Sequence, residues 1–77
     1  MRVLIFVTGD PKDHRKAGAA AIIPDQQGSY LPLPPPGLDW HYFATMPLED
    51  GLLSQERTAI EAGIARSGYF ISERVLA

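Results

Sequence analysis

The residues that could do chemistry in this chain of 77 residues are few and scattered. Thr8, Gly9 and Asp10 follow an apolar run, and polar side chains at the end of a strand often reach a ligand. The same three residue types also make an ordinary turn, in which glycine supplies backbone freedom and aspartate supplies local hydrogen bonds. The turn is the favoured interpretation of this tripeptide.

Metal-binding and nucleophilic residue types do not form a familiar site. The sequence has no cysteine, which excludes disulfides and thiolate-metal sites, and His14 and His41 are too few for a zinc site by themselves. It has no HExxH sequence, no GxSxG elbow and no glycine-rich phosphate loop. Glu56 and Glu61 are spaced so that they do not share a helix face well. The residues alone therefore indicate neither an enzyme nor a cofactor.

A short basic cluster could contact phosphate groups. It consists of Lys12, His14, Arg15 and Lys16. Two aspartates in the same stretch balance it, and the net charge of the whole chain is −2. This balance argues against broad attraction to nucleic acid or to an anionic membrane. A solvated charged loop is the favoured interpretation, and neither nucleic acid nor a membrane is an expected partner.

Four ring-bearing residues stand in a row at positions 40–43. On a strand, alternate residues point to opposite faces, which places Trp40, Tyr42 and Ala44 on one face and His41, Phe43 and Thr45 on the other. One set would face the core, and the other would need a cover such as a helix, the proline segment or a second copy of the chain. Core packing is the commonest outcome and a homo-oligomer interface the second. The expected binding residues are Trp40, His41 and Phe43.

The first half of the chain predicts two or three strands. Residues 3–7 are apolar on both faces and predict a central strand. Residues 20–23 and 29–33 flank a turn-rich stretch and predict a hairpin. Between these elements, Asp10 could cap a helix that begins at Pro11. The favoured alternative is a charged loop that leads into a strand over residues 19–23.

The second half predicts a strand, a helix and a further strand. Residues 38–46 read as the third strand, and a fourth begins at Tyr69. Residues 54–67 predict a helix with Ser54 as its N-cap, Glu56 in its first turn and Gly68 as its stop. Gly63 inside this helix would allow close packing on the sheet. The elements predict one α+β domain over residues 1–77, with a three- to four-stranded, mainly antiparallel sheet and one helix on one face.

The prolines at positions 32, 34, 35 and 36, closed by Gly37, form the stiffest stretch of the sequence. One interpretation is a rigid surface connection, which is favoured because the stretch lies inside a small domain. The other is a docking ligand for an aromatic groove.

No apolar run is long enough for a transmembrane helix, and the start of the chain is a poor signal peptide. The cytoplasm is the expected location.

The order of elements resembles the first half of ribonuclease H-like domains. In that family an acidic residue ends the first strand, a small-residue strand enters a hairpin, and a later helix carries a glutamate near its start. Asp10, residues 17–28 and residues 54–62 are similar to these features, and Glu73 lies near the position of the next carboxylate. The resemblance implies a Mg²⁺-dependent nucleic-acid hydrolase, or its inactive remnant, with Asp10, Glu56 and Glu73 as metal ligands.

The favoured hypothesis is instead a non-enzymatic protein-interaction or regulatory module. Its partner is an unidentified protein or a second copy of the chain. This hypothesis predicts an exposed apolar patch near residues 40–43 or along a sheet edge.

Overall fold

A computed structural model describes residues 1–8, 19–34, 36–53 and 56–72 of the chain. Their elements, in chain order, are β1 (Arg2–Val7), β2 (Ala20–Pro24), β3 (His41–Pro47), a 3₁₀ turn (Gly51–Leu53), α1 (Arg57–Ser67) and β4 (Phe70–Ser72). The strands form one sheet in the order β3-β1-β2-β4, and every neighbouring pair is antiparallel. The predicted small α+β fold, with one helix on a mainly antiparallel sheet, is confirmed.

The core lies between the sheet and the helix. β1 occupies a central position, and its alternate residues Val3, Ile5 and Val7 are buried on the face that α1 covers. We call this the helix-side face. The main core cluster consists of Val3, Ile5, Ile22, Leu48, Leu53 and Ile60. Leu4 and Phe6 point to the second face of the sheet, where they are half-buried.

The helix begins at Arg57, later than predicted, with Glu56 rather than Ser54 at its N-cap and no acidic residue in its first turn, and it ends at Gly68 as predicted. Gly68 follows the last turn with a φ of 85°, and its N–H donates to the Ile64 carbonyl at 2.8 Å. Glycine adopts this left-handed conformation without a Cβ penalty. Glu56 occupies the N-cap position, where it makes no side-chain capping hydrogen bond. Ser54, the predicted N-cap, lies outside the described residues.

Gly63 brings α1 close to β4, as predicted. A Cβ atom at this position would lie 3.0 Å from Cδ1 of Phe70 and 3.1 Å from the carbonyl oxygen of Tyr69. Ordinary contacts between such atoms are longer, about 3.5–4.0 Å between carbons. The missing side chain is therefore what allows the helix backbone to approach the sheet.

The predicted hairpin between residues 20–23 and 29–33 is wrong. The turn forms, since the Ser29 N–H donates to the Gln26 carbonyl at 3.3 Å and Gly28 has a φ of 92°. Residues 29–34 form no strand, however, and β2 pairs with β1 and β4 instead. Pro32 and Pro34 carry no N–H, so this stretch cannot supply a regular ladder.

The third strand begins at His41 rather than at residue 38, and its facing differs from the prediction. Ile5 pairs with Ala44, whereas Phe6 pairs with Tyr42, so Phe43 is an extra residue in a bulge. The bulge breaks the strict alternation. Tyr42 therefore shares the second face with Thr45, and Ala44 belongs to the helix-side face.

The strand β2 begins at Ala20, as the loop-and-strand alternative predicts. Residues 9–18, where the two alternatives differ most, lie outside the described residues. Within the described ranges, no helix has both the length and the hydropathy needed to cross a bilayer.

Candidate interaction surface

The strand β3 lies at one edge of the sheet. It pairs with β1 on one side, and no strand of the described residues lies on its other side. Its seven residues include no Asp, Glu, Lys or Arg. Edge strands of natural proteins commonly carry such charges, because an uncharged edge can pair with another chain. Two features of β3 do hinder pairing with a further strand, namely the bulge at Phe43 and the proline at position 47.

Tyr42 is the most exposed aromatic residue of this edge, with 54% of its surface accessible. Its ring packs against Phe6 in a T-shaped arrangement with centroids 5.8 Å apart. Its hydroxyl shares a hydrogen bond of 2.7 Å with the Thr45 hydroxyl. We call Phe6, Tyr42 and Thr45 the Tyr42 cluster. Two contacts hold the ring in place, so its burial by a partner would cost little side-chain entropy.

The structure separates the three predicted binding residues. Trp40 is half-buried, and its indole N–H donates to the Pro32 carbonyl at 2.8 Å. Phe43 packs against the main core cluster and against Val7 and Ala20. His41 is exposed at the start of β3. Tyr42 is not among the predicted binding residues, yet its ring is more exposed than that of Phe43, because the bulge turns Phe43 toward the core.

The exposed apolar side chains of the second face lie at its two edges. Ala21 and Ile23, on the inner strand β2, are almost fully buried. Ile71 on β4 is 40% exposed, and it pairs with Ala21, which pairs in turn with Phe6. The apolar surface is therefore interrupted in the middle of the sheet. The Tyr42 cluster and Ile71 belong to opposite edges.

Ion pairs of the described residues lie at the far end of β3 from Tyr42. Arg2 pairs with Asp25 at 3.7 Å, and the Met1 amino group lies 3.5 Å from Glu49. Arg2 stands opposite Pro47 in the sheet, whereas Tyr42 stands opposite Phe6. Both pairs are solvent-exposed and contribute little to stability. These two ion pairs therefore lie away from the Tyr42 cluster.

Only one of the three carboxylates implied by the ribonuclease H-like resemblance can be placed. Asp10 and Glu73 lie outside the described residues. Oε2 of Glu56, just before α1, has almost no accessible surface and no hydrogen-bond partner among the described residues. No group of three or more potential metal ligands occurs within the described ranges. Of the three implied ligands of a metal pair, the structure therefore describes the Glu56 side chain alone.

The comparisons with known proteins found no match to any family model, curated protein or solved structure.

Proposed function

We propose that this chain is a non-enzymatic protein-interaction module that self-associates through β3. The observation that carries the proposal is an edge strand of seven residues without a charged side chain, beside an exposed and immobilised tyrosine. We place the protein in the cytoplasm, where a chain without disulfides needs no oxidising environment.

A second copy is the partner that this surface fits best. Two β3 strands that pair antiparallel form a two-fold symmetric contact, in which each strand meets itself. A charged residue at the axis would meet its own copy, and β3 carries no Asp, Glu, Lys or Arg. Pairing would extend the four-stranded sheet of each copy into one continuous sheet.

The irregular positions of β3 limit where the axis can lie. The bulge at Phe43 disrupts the ladder, and Pro47 has no N–H to donate. The regular stretch between them is residues 44–46, so we place the two-fold axis near Thr45. One Tyr42 then lies toward each end of the paired stretch, where the partner chain covers its exposed ring.

Sedimentation equilibrium over a range of protein concentrations tests the proposal. The wild-type chain is expected to form dimers, and Tyr42→Lys to weaken them by at least about tenfold, because the burial of the tyrosine ring is lost and a charged side chain must be desolvated in its place. Tyr30→Lys is the matched control. Tyr30 is 63% exposed and has its own T-shaped partner, Tyr69, beside β4 at the opposite edge of the sheet.

A second substitution guards against misfolding. Thr45→Lys brings two lysines together at the proposed axis and leaves the Phe6–Tyr42 ring contact intact. A circular dichroism melt of each variant establishes that it is folded. A monomeric wild-type chain at every concentration would contradict the proposal, and so would equal weakening by Tyr30→Lys and Tyr42→Lys.

The second candidate is a ribonuclease H-like Mg²⁺-dependent hydrolase or its inactive remnant. The buried Oε2 of Glu56, without a partner among the described residues, favours it, because such an atom costs about 1–3 kcal/mol unless a hydrogen-bond donor or a cation satisfies it. The test is the unfolding temperature with and without Mg²⁺. A rise that Glu56→Gln and Asp10→Asn abolish, and that the exposed-site control Glu61→Gln retains, supports this candidate. An unchanged unfolding temperature counts against it.

A further inference from the structure

A groove separates the helix α1 from the residues just before β1 and just after β3. Its volume is about 450 Å³, within the range of roughly 300–1,000 Å³ that is usual for small-molecule sites. The described residues that line it are Met1, Leu48, Glu49, Glu61, Ile64 and Ala65. We call it the Leu48 groove. Four of these six residues are apolar, so both its size and its lining suit a small molecule with an apolar body.

The backbone of both walls is held in place by the fold. Glu61, Ile64 and Ala65 are three and four residues apart, so they share one face of α1. On the other wall, the Leu48 N–H donates to the Met1 carbonyl at 2.7 Å. Leu48 is buried in the main core cluster, and Ile64 packs against that cluster. A ligand would therefore meet a largely preformed site, which lowers the entropy lost on binding.

The polar side chains that line the Leu48 groove are both carboxylates. Glu49 and Glu61 are exposed, and neither Lys nor Arg occurs among the described lining residues. The Met1 amino group lies 3.5 Å from Glu49, which offsets the charge of that carboxylate. Neither ion pair of the described residues includes Glu61, although Arg57 stands about one turn before it in α1. Glu61 is therefore the carboxylate that a cationic ligand would meet.

We propose that the Leu48 groove binds a small molecule that has an apolar body and one primary ammonium group. The apolar body lies on Leu48, Ile64 and Ala65, and the ammonium group pairs with Glu61. An ion pair at an exposed carboxylate is weak, so the apolar contact supplies most of the affinity and the charge selects among ligands. The proposal does not depend on self-association through β3, because no residue that lines the groove belongs to that strand.

The test is a titration of the ¹⁵N-labelled chain with three hexyl probes, followed by backbone amide chemical shifts. The probes are n-hexylammonium, 1-hexanol and hexanoate, which share an apolar body and differ in charge. We expect hexylammonium to shift the amides of Leu48, Ile64 and Ala65 until they saturate. It should bind about fivefold more tightly than hexanol, the upper range for an exposed ion pair, and hexanoate should bind more weakly than hexanol.

Glu61→Gln is expected to remove the preference for hexylammonium and to leave the affinity for hexanol unchanged, because hexanol carries no charge. Asp39→Asn is the matched control. It removes one negative charge at an exposed position that does not line the groove, so all three affinities should stay as they are. Ala65→Lys places a competing ammonium group four residues after Glu61 and should weaken hexylammonium binding by at least about fivefold. A circular dichroism melt establishes that each variant is folded.

Two kinds of result would overturn this proposal. One is the absence of any saturable shift of the groove amides with hexylammonium. The other is a loss of selectivity by charge, seen as equal affinities for hexylammonium and hexanoate or as a preference for hexylammonium that survives Glu61→Gln. The titration does not measure dimerisation, so its failure and the failure of self-association through β3 are separate outcomes.

Discussion

Substitution of Gly63 by alanine sets a gain in helix propensity against steric overlap with β4 and the residue before it. In an exposed helix, glycine to alanine stabilises by about 1 kcal/mol through helix propensity. At Gly63 the new Cβ would meet Phe70 Cδ1 at 3.0 Å, the Tyr69 carbonyl oxygen at 3.1 Å and Phe70 Cβ at 3.2 Å. The phenyl ring can move aside. The backbone oxygen cannot, because only Gly68 and Tyr69 separate α1 from β4.

The expected balance is a net loss of stability. Overpacking of this kind costs about 1–3 kcal/mol, which exceeds the propensity gain over most of its range. We expect Gly63→Ala to lower the free energy of unfolding by about 1 kcal/mol, equivalent to roughly 4–8 °C in unfolding temperature for a domain of this size.

Urea unfolding followed by circular dichroism provides the measurement for Gly63→Ala, and equal m-values would show that the comparison is sound. The exposed neighbour Ala62 offers the control, since Ala62→Gly should lose about 1 kcal/mol through propensity alone. A Gly63→Ala variant more stable than the wild-type chain would refute the close approach of α1 to β4.

Two further substitutions test single backbone features by the same unfolding assay. Thr8 is buried, and its Oγ1 accepts a hydrogen bond from the Ala19 N–H at 3.1 Å. Thr8→Val should therefore lower the free energy of unfolding by about 1–3 kcal/mol, because it leaves that N–H unpaired. The exposed control Thr58→Val should change stability little, and similar losses from both variants would contradict this reasoning. Gly68→Ala should lower the free energy of unfolding by about 1–2 kcal/mol because of the φ of 85°, since an added Cβ would have no neighbour within 4 Å. The control Gly51→Ala has the same open space and no positive φ, so it should leave stability nearly unchanged. A Gly68→Ala variant as stable as the wild-type chain would disprove the backbone argument.

The regular elements could be predicted because their signals are local. The β-branched run at residues 3–7 specifies β1, whichever strands later flank it. The stop at Gly68 depends only on the conformational freedom of one residue. These features need no knowledge of tertiary partners.

The strand pairing could not be predicted because it depends on partners distant in sequence. Two apolar runs around a glycine-containing turn indicate a hairpin, but the prolines after Gly28 withhold donors, and the free edge of β2 pairs with β4 instead. The bulge at Phe43 has no signature in the sequence. It decides nevertheless that Tyr42 lies exposed on the surface and that Phe43 packs against the core.

That Trp40, His41 and Phe43 bind a partner stays a prediction, but the structure shows which rings of this stretch are exposed. The aromatic stretch at positions 40–43 was the expected patch, and an exposed aromatic does lie there. The residue that carries it is Tyr42, whereas Trp40 bonds to Pro32 and Phe43 packs in the core.

The sheet order has a consequence for how the chain folds. β1 is the first strand in the sequence, yet it occupies an inner position and is completed only by β3. Val7 meets Ala20 after about 13 positions and His41 after about 34, so closing the second loop from the unfolded chain costs roughly 0.9 kcal/mol more. We therefore expect the β1–β2 ladder to form before the β1–β3 ladder. An edge of β1 that waits for β3 in this way is open to pairing with another chain.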